Sequence, residues 1–283
     1  MSVLVVGCGY LGERVAKRFK AQGHEVIGWA HSQASVQRLV EEVGIEGGEV
    51  DIRNKMACRE GEYSTGIVDV GIMCVSTRGS GKRGIESLEA YQETYLKGAR
   101  NLLSVFPDTK WIYTSSTSVY GQTGGEEVDE TAETEPMSAT SRVLLEVESE
   151  FLRMGGDVLR LAGLYGEGRS VYLRNFLEGQ GKIEGDGSRI VNQIHVEDAA
   201  DAVLTVAGRD KGGEIYNVVD DTPMTQQALY ELLVKYLGGK LPETVEPDYQ
   251  KKRGWTSKRV LNGKLKQLGW TPHYPGFETF LNP

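Results

Sequence analysis

The chain opens on an apolar segment that is followed at once by a segment of helical periodicity. Val3–Val6 is an unbroken branched apolar run, which is typical of a strand buried on both faces of a parallel sheet. Residues 11–20 then place apolar side chains at helical spacing, with basic side chains on the other face. A second apolar run follows at 25–29. This order of strand, helix and strand predicts the start of a βαβ unit.

The same alternation continues over most of the chain. Apolar runs predict strands, and the longer amphipathic segments between them predict helices. Further strands are expected over 49–52, 67–75, 110–114, 158–161 and 214–218. Further helices are expected over 35–43, 85–103, 138–154, 198–206, 226–237 and 264–268. Regular alternation of this kind predicts an α/β protein with a doubly wound parallel sheet.

Two regions depart from this rhythm. Residues 121–136 form an acidic, glycine-containing connection, which we expect to be an exposed loop that could move over a site. Beyond residue 165 the alternation loosens. We therefore expect the sheet domain to span 1–168, with 190–220 returning to the sheet, and a small interleaved C-terminal lobe to span 169–283.

Composition excludes several classes of protein. With 39% hydrophobic and 25% charged residues, and no apolar run near the ~18 residues of a bilayer span, the 283-residue chain is expected to be soluble and globular. A net charge of −8 disfavours nucleic acid and anionic membranes as partners. Cys8, Cys58 and Cys74 form no CxxC pair, so neither disulfides nor a metal site is expected. With no basic, signal-like start, we expect a cytoplasmic protein.

The glycines between the first strand and the first helix carry the strongest chemical signal. Gly7, Gly9 and Gly12 form a G-x-G-x-x-G motif directly before an amphipathic helix, which aims backbone N–H groups and the positive helix end at a pyrophosphate. Gly7 allows a tight turn, Gly9 a close approach of phosphate, and Gly12 close packing of the helix on the strand. A plain structural turn is the alternative interpretation. The motif predicts a Rossmann-type site for a dinucleotide.

The residues after the second predicted strand indicate which dinucleotide binds. An acidic residue there would pair with the adenosine ribose of NAD and repel the 2′-phosphate of NADP. This chain instead has His31 and Ser32, with Arg38 further on. Imidazole and hydroxyl groups are compatible with a phosphate, so NADP is favoured and NAD stays the alternative.

One stretch resembles a known family. Residues 111–121, Trp-Ile-Tyr-Thr-Ser-Ser-Thr-Ser-Val-Tyr-Gly, look like the NAD-dependent epimerase/dehydratase family, the extended branch of the short-chain dehydrogenase/reductases (SDRs). Further stretches at 128–130, 135–136, 160–166, 194–198 and 216–218 agree in order. Residues 192–196 are most similar to the atypical members of that branch. The glycine loop is one residue shorter than the extended pattern, which still permits cofactor binding.

The resemblance also implies a catalytic centre. Ser116 matches the family serine, whereas Ser138 stands where the family tyrosine belongs and Arg142 where the lysine belongs. A serine hydroxyl is far less acidic than a tuned tyrosine, and a guanidinium does not shuttle protons, so cofactor binding is retained better than catalysis. If redox chemistry occurs, Tyr120 or Tyr95 is a candidate acid or base, although both residues are more often packing residues.

The predicted site is assigned as follows. Cofactor contacts are expected from Gly7, Gly9, Tyr10, Leu11, Gly12, His31, Ser32, Asp51, Ile52, Val75, Ser76, Ser115 and Arg142. Catalysis is expected from Ser116, Tyr120 and Arg142, and substrate contacts from Thr117, Ser118, Arg169, Arg174 and His195. The two arginines could instead be solvated surface charges and His195 a structural residue. Asp198 is expected to cap the helix that follows it.

The function predicted from these residues is that of an NAD(P)-dependent oxidoreductase or epimerase/dehydratase-like enzyme. Its substrate would be a small carbonyl, hydroxyl or sugar-type molecule. The alternative is a non-catalytic NADP-binding sensor or scaffold, since the usual Tyr-x-x-x-Lys pair is missing; lyase or hydrolase chemistry is a third option. The resemblance is compatible with a homodimer, because related enzymes often form one.

Overall fold

The strands of the protein are those of an α/β fold. A computed structural model describes residues 1–77, 88–249 and 255–282. Its strands are β1 Ser2–Val6, β2 Glu25–Ala30, β3 Glu46–Glu49, β4 Val70–Met73, β5 Lys110–Ser116, β6 Glu126–Val128, β7 Asp157–Leu161, β8 Gly163–Tyr165, β9 Lys182–Glu184, β10 Ile190–Val191, β11 Gln193–His195, β12 Ile215–Val218, β13 Met224–Thr225, β14 Glu243–Val245 and β15 Lys258–Val260.

Helices alternate with these strands. They are α1 Gly12–Ala21, α2 Gln33–Arg38, α3 Lys55–Thr65, α4 Leu88–Tyr91, α5 Gly98–Val105, α6 Ala139–Arg153, α7 Val171–Leu177, α8 Val196–Ala207, α9 Gln226–Leu237, α10 Gly263–Lys266 and α11 Phe277–Leu281. Leu39–Val43 and Gln92–Lys97 are π-helical, and Thr117–Val119 is a 3₁₀ turn. In the described ranges, no helix combines the length and the apolar character needed to cross a membrane.

The chain divides into two units. The first comprises Met1–Ser115, Arg142–Arg160 and Ala200–Tyr216, and the second comprises Ser116–Ser141, Leu161–Ala199 and Asn217–Pro283. The chain therefore passes between the units five times, and neither unit is a continuous segment.

The first unit is built on the main sheet. Its strand order is β12-β7-β5-β4-β1-β2-β3, and the pairs β1–β2, β2–β3, β1–β4 and β4–β5 are parallel. The chain runs outward from β1 to β3 and then returns to the other side of β1, so the strand order reverses between β1 and β4. In open α/β sheets, ligands bind at such a switch point, outside the carboxyl ends of the strands. The predicted doubly wound parallel sheet is confirmed.

Burial explains why the first strand forms. Val3, Leu4 and Val5 are fully buried, since helices cover both faces of a parallel sheet. Helix α1 packs Val15 and Phe19 against this sheet. In the second unit a separate apolar cluster, which includes Tyr165, forms around α9.

Three local predictions were wrong. The third strand is Glu46–Glu49 rather than 49–52, because its sequence, Glu-Gly-Gly-Glu, lacks the apolar signal of a strand. The predicted loop 121–136 contains β6, which pairs in parallel with β15 of the second unit. Asp198 lies within the first turn of α8 and accepts hydrogen bonds from the amides of His273 and Tyr274. The start of the helix predicted over 85–103 lies outside the described residues.

Candidate functional site

The three glycines of the turn after β1 have different surroundings. Gly7 has φ of 91°, and a Cβ there would lie 2.7 Å from the Val75 Cα atom. A Cβ on Gly12 would lie 2.4 Å from the Gly7 carbonyl oxygen. A Cβ on Gly9, in contrast, would meet no described atom within 4 Å. The fold itself therefore requires glycine at 7 and 12, whereas at 9 a glycine only leaves space open.

The amino end of α1 faces this turn without a cap. Its N-cap residue, Leu11, makes no side-chain hydrogen bond to the first amides, whereas Ser32 caps α2 and Asn54 caps α3. Uncapped amides and the positive end of the helix dipole favour an anion such as phosphate. Arg14 stays close to the turn, since its Nη1 donates to the Tyr10 carbonyl at 2.8 Å and its guanidinium lies 4.4 Å from the Tyr10 ring centre.

A cavity of about 330 Å³ opens beside the glycine turn in the first unit. Its lining includes seven of the residues that the sequence predicts as cofactor contacts, namely Gly7, His31, Ser32, Asp51, Ile52, Val75 and Ser76. Trp29, Ser35, Thr94 and Arg53 also line it and were not predicted. Ligand cavities typically measure roughly 300–1,000 Å³, so the volume suits part of a dinucleotide.

Arg53 is the most informative of the missed residues. Its Nε and Nη2 donate to the two carboxylate oxygens of Asp51 at 2.8 and 2.7 Å, and Nη2 lies 3.2 Å from His31 Nε2. The hydrogen bond from Arg53 lowers the pKa of the Asp51 carboxyl. Arg38, which follows His31 and Ser32 in the sequence, is paired with Glu13. An Asp-x-Arg sequence after a strand was the available signal for Arg53.

Hydroxyl groups are linked in a chain in the second unit. Ser116 Oγ accepts from the Ser118 amide at 3.2 Å, and Ser118 Oγ accepts from Ser141 Oγ at 3.0 Å. Ser138 Oγ in turn donates to Ser141 Oγ at 3.0 Å and accepts from the Ser141 amide at 3.2 Å. Ser138 therefore caps the amino end of α6, where a serine is favoured.

Tyr120 is fully buried and held at both ends. Its hydroxyl donates to Asn217 Oδ1 at 2.9 Å, and its carbonyl accepts from Lys258 Nζ at 2.8 Å. Lys258 also donates to Thr256 Oγ1 at 3.0 Å. These bonds hold Tyr120, which directly follows the 3₁₀ turn that carries Ser118.

The remaining predicted site residues lie in varied surroundings. Ser115 is buried in the first unit and donates to Glu148 Oε1 at 2.5 Å, while Arg142 is exposed on α6. In the second unit Arg174 is exposed on α7, and Arg169 forms a backbone bridge with Gly166. The buried His195 ring stacks on Tyr274 with 3.6 Å between ring centres.

The second unit has a cavity of its own, of about 430 Å³. Tyr172 and Tyr230 form its apolar walls, and the side chains of Asn175, Gln180, Gln226, Lys182, Glu184, Glu246 and Asp248 provide its polar groups. Gln226 is fixed there, since its amide group bonds the Glu184 amide and the Lys182 carbonyl. Three carboxylates against one lysine make the described lining unfavourable for a diphosphate.

Lys258 should give the protein a distinctive pH dependence of stability. Burial, together with the nearby Arg189, lowers the pKa of Lys258 from 10.5 to about 7. Between these values the unfolded chain binds one more proton than the folded chain, so stability rises with pH by about 1.4 kcal/mol per unit. We expect the free energy of unfolding of wild type, relative to that of Lys258→Met, to rise by about 2 kcal/mol from pH 7 to 9 in urea titrations. Parallel curves for the two proteins would contradict the assignment.

Fold and site together define a dinucleotide-binding α/β protein, since a glycine turn and a polar cavity lie at the switch point of a parallel sheet. Residues 3–219 match the NAD dependent epimerase/dehydratase family, and the chain belongs to this family. The cofactor class of the family is a nicotinamide dinucleotide, which fits the open space at Gly9 and the uncapped helix.

Comparison with individual proteins agrees with this family. The chain is 30% identical to Protein YeeZ of Escherichia coli K12 over 278 residues, which cover 96% of each chain. It is 28% identical to the human dTDP-D-glucose 4,6-dehydratase over 66% of this chain and 60% of that protein. Its fold is similar to that of the UDP-glucose 4-epimerase of Thermotoga maritima, with a TM-score of 0.82 and 21% identity over 99% of this chain and 97% of that chain.

Proposed function

We propose that this protein is an NADP-dependent oxidoreductase or epimerase/dehydratase-like enzyme. The observation that carries the proposal is Gly9. Its backbone does not need a glycine and no described neighbour would touch a Cβ there, so the absent side chain leaves room for a ligand beside the uncapped end of α1. Bound there, the nicotinamide dinucleotide would supply hydride transfer.

The favoured form of the cofactor is NADP. No carboxylate follows β2 directly, where it would repel a 2′-phosphate. Ser32 and His31 occupy that place and line the cavity. NAD is the alternative form, and the preference is measurable by titration with both dinucleotides.

The proposed chemistry assigns roles to Ser116, Ser118 and Arg142. Ser116 would donate a hydrogen bond to a substrate carbonyl or hydroxyl, and Arg142 would donate to the ribose hydroxyls of the cofactor. Ser118, whose hydroxyl accepts from Ser141 and whose amide donates to Ser116, would help to orient the substrate. Tyr120 supports this segment in the structure, because its hydroxyl is committed to Asn217; we therefore place Ser116 ahead of Tyr120 as the catalytic group.

The proposed substrate is a small sugar-type molecule. The relatives with named activities act on nucleotide sugars, according to their names. The second cavity, whose lining does not include Ser116 or Ser118, has amide, carboxylate and tyrosine side chains that suit a hydroxyl-rich part of a ligand, whereas its three carboxylates oppose a diphosphate. A small polyol or a sugar without a diphosphate fits these groups better than a complete nucleotide sugar does.

A non-catalytic NADP-binding sensor or scaffold is the second candidate. The hydroxyl of Ser138, at the place of the family tyrosine, is already used to cap α6. The proton of this hydroxyl is also engaged, because Ser138 Oγ donates to Ser141 Oγ at 3.0 Å, so Ser138 would have to break that bond to donate a proton to a substrate.

Turnover distinguishes the two candidates. We expect purified protein to oxidise NADPH with a member of a panel of aldehydes, ketones and small sugars, and Ser116→Ala to lower that turnover about 10²- to 10³-fold while cofactor affinity is unchanged. Ser149→Ala is the matched control, since Ser149 is an exposed serine of α6. Tight cofactor binding with no turnover across the panel would favour the sensor.

A further inference from the structure

Three polar groups converge at the carboxyl ends of β2 and β3 in the first unit. His31 and Ser32 follow β2, and Arg53 follows β3, and all three line the 330 Å³ cavity. In sites of this architecture the adenosine ribose lies against the residues that follow the second strand. These three groups are therefore placed to contact the 2′ substituent of the ribose, which is a hydroxyl in NAD and a phosphate in NADP.

The guanidinium of Arg53 is held in one orientation. Asp51 accepts from its Nε and Nη2 in a bidentate pair, and His31 Nε2 lies beside Nη2. Its Nη1 group makes no hydrogen bond with the described part of the chain and keeps two N–H donors for a ligand. Because the bidentate pair with Asp51 fixes the Arg53 guanidinium before a ligand binds, less side-chain entropy is lost on binding.

Asp51 itself would oppose a second negative charge. Its carboxylate lines the same cavity, and a 2′-phosphate close to an unpaired carboxylate would be repelled. Arg53 therefore has two effects on such a phosphate: it neutralises Asp51, and it presents charged N–H donors, which form the stronger class of hydrogen bond.

We propose that Arg53, oriented by Asp51 and flanked by His31, is the residue that selects a 2′-phosphorylated adenosine, and hence NADP(H) over NAD(H). This inference rests on the proposed dinucleotide site and names the group that sets its specificity. Asp51 then acts as a positioning residue for Arg53.

Calorimetric titration of the full-length protein with NADP⁺ and NAD⁺ tests the proposal. We expect wild type to bind NADP⁺ more tightly than NAD⁺, and Arg53→Met to weaken NADP⁺ binding roughly 10- to 100-fold while NAD⁺ affinity changes by less than about threefold. Retained NAD⁺ binding shows that the variant is folded. Arg59→Met, which replaces an exposed arginine of α3, is the matched control and should bind both dinucleotides as wild type does.

Two further variants distinguish the two effects of Arg53, which are hydrogen-bond donation to the 2′-phosphate and neutralisation of the Asp51 carboxylate. Arg53→Lys keeps the positive charge but replaces the planar guanidinium by an ammonium group, and it should bind NADP⁺ with intermediate affinity. Asp51→Asn combined with Arg53→Met removes both charges and should stay weak toward NADP⁺. Recovery of wild-type NADP⁺ affinity in this double variant, or wild-type affinity in Arg53→Met alone, would overturn the role of Arg53. If wild type binds neither dinucleotide, the proposed site itself fails, which is a separate result.

Discussion

Gly9→Val should abolish dinucleotide binding and leave the fold intact. The backbone at Gly9 does not have a positive φ, and a Cβ there meets no described atom within 4 Å, so the substitution should change the free energy of unfolding by less than about 0.5 kcal/mol. The added methyl groups would occupy the space through which phosphates reach the amides of α1. We expect NADP⁺ affinity to fall at least about 100-fold in calorimetry.

Two other glycines provide controls for this result. Gly263 is also exposed, has no described neighbour within 4 Å of a Cβ and does not have a positive φ, so Gly263→Val should change neither stability nor binding. Gly12→Ala should instead destabilise the fold, because its Cβ would lie 2.4 Å from the Gly7 carbonyl oxygen. Unchanged NADP⁺ affinity in Gly9→Val would remove the main support for the proposed function.

Arg160→Leu should cause the largest loss of stability. Arg160 and Glu148 are both almost fully buried in the first unit, with Nη2 2.7 Å from Oε2. Removal of the guanidinium leaves the Glu148 carboxylate with Ser115 as its remaining hydrogen-bond donor among the contacts described above. A buried charge that loses its partner costs about 3–5 kcal/mol, which urea denaturation at pH 7 would measure.

An exposed ion pair on α6 has the same N–O distance as the buried pair, so comparing the two isolates the effect of burial on stability. Arg153 lies 2.7 Å from Glu150, but its side chain is 68% exposed, so Arg153→Leu should cost less than about 1 kcal/mol. The double variant Glu148→Leu, Arg160→Leu should regain most of the stability lost by Arg160→Leu, since no unpaired charge then stays in the core. An equal loss in Arg153→Leu and Arg160→Leu would refute this account.

The parts of the fold that the sequence predicted are those with a strong local pattern. Val3–Val6 and the glycine turn combine continuous burial with a helix start, and the structure has both. The helix over 226–237 was predicted with its observed bounds. Strand β3 was misplaced because Glu46–Glu49 carries no apolar residue, whereas Val50 and Ile52, just beyond its end, are buried and carry the signal. Hydrophobic periodicity locates burial, which does not always coincide with a strand.

The missed features depend on residues that are distant in the sequence. Strand β6 forms because Lys258–Val260 supplies its hydrogen-bonding partner, and nothing within 121–136 indicates that pairing. Arg53 has a local signal in the Asp-x-Arg sequence, but its place beside His31, 22 positions earlier in the chain, is visible only in the structure. The predicted tyrosine position, Ser138, could be counted from the family pattern, but its capping role depends on where α6 begins.

The five passages of the chain between the two units limit how this protein can be divided. Cleavage of one peptide bond, or an early stop codon, cannot yield either unit as an unbroken polypeptide. A shortened gene would lose strands of the main sheet together with pieces of the smaller unit. We therefore expect new binding properties to arise in this fold by substitutions and loop insertions rather than by exchange of a whole unit between genes.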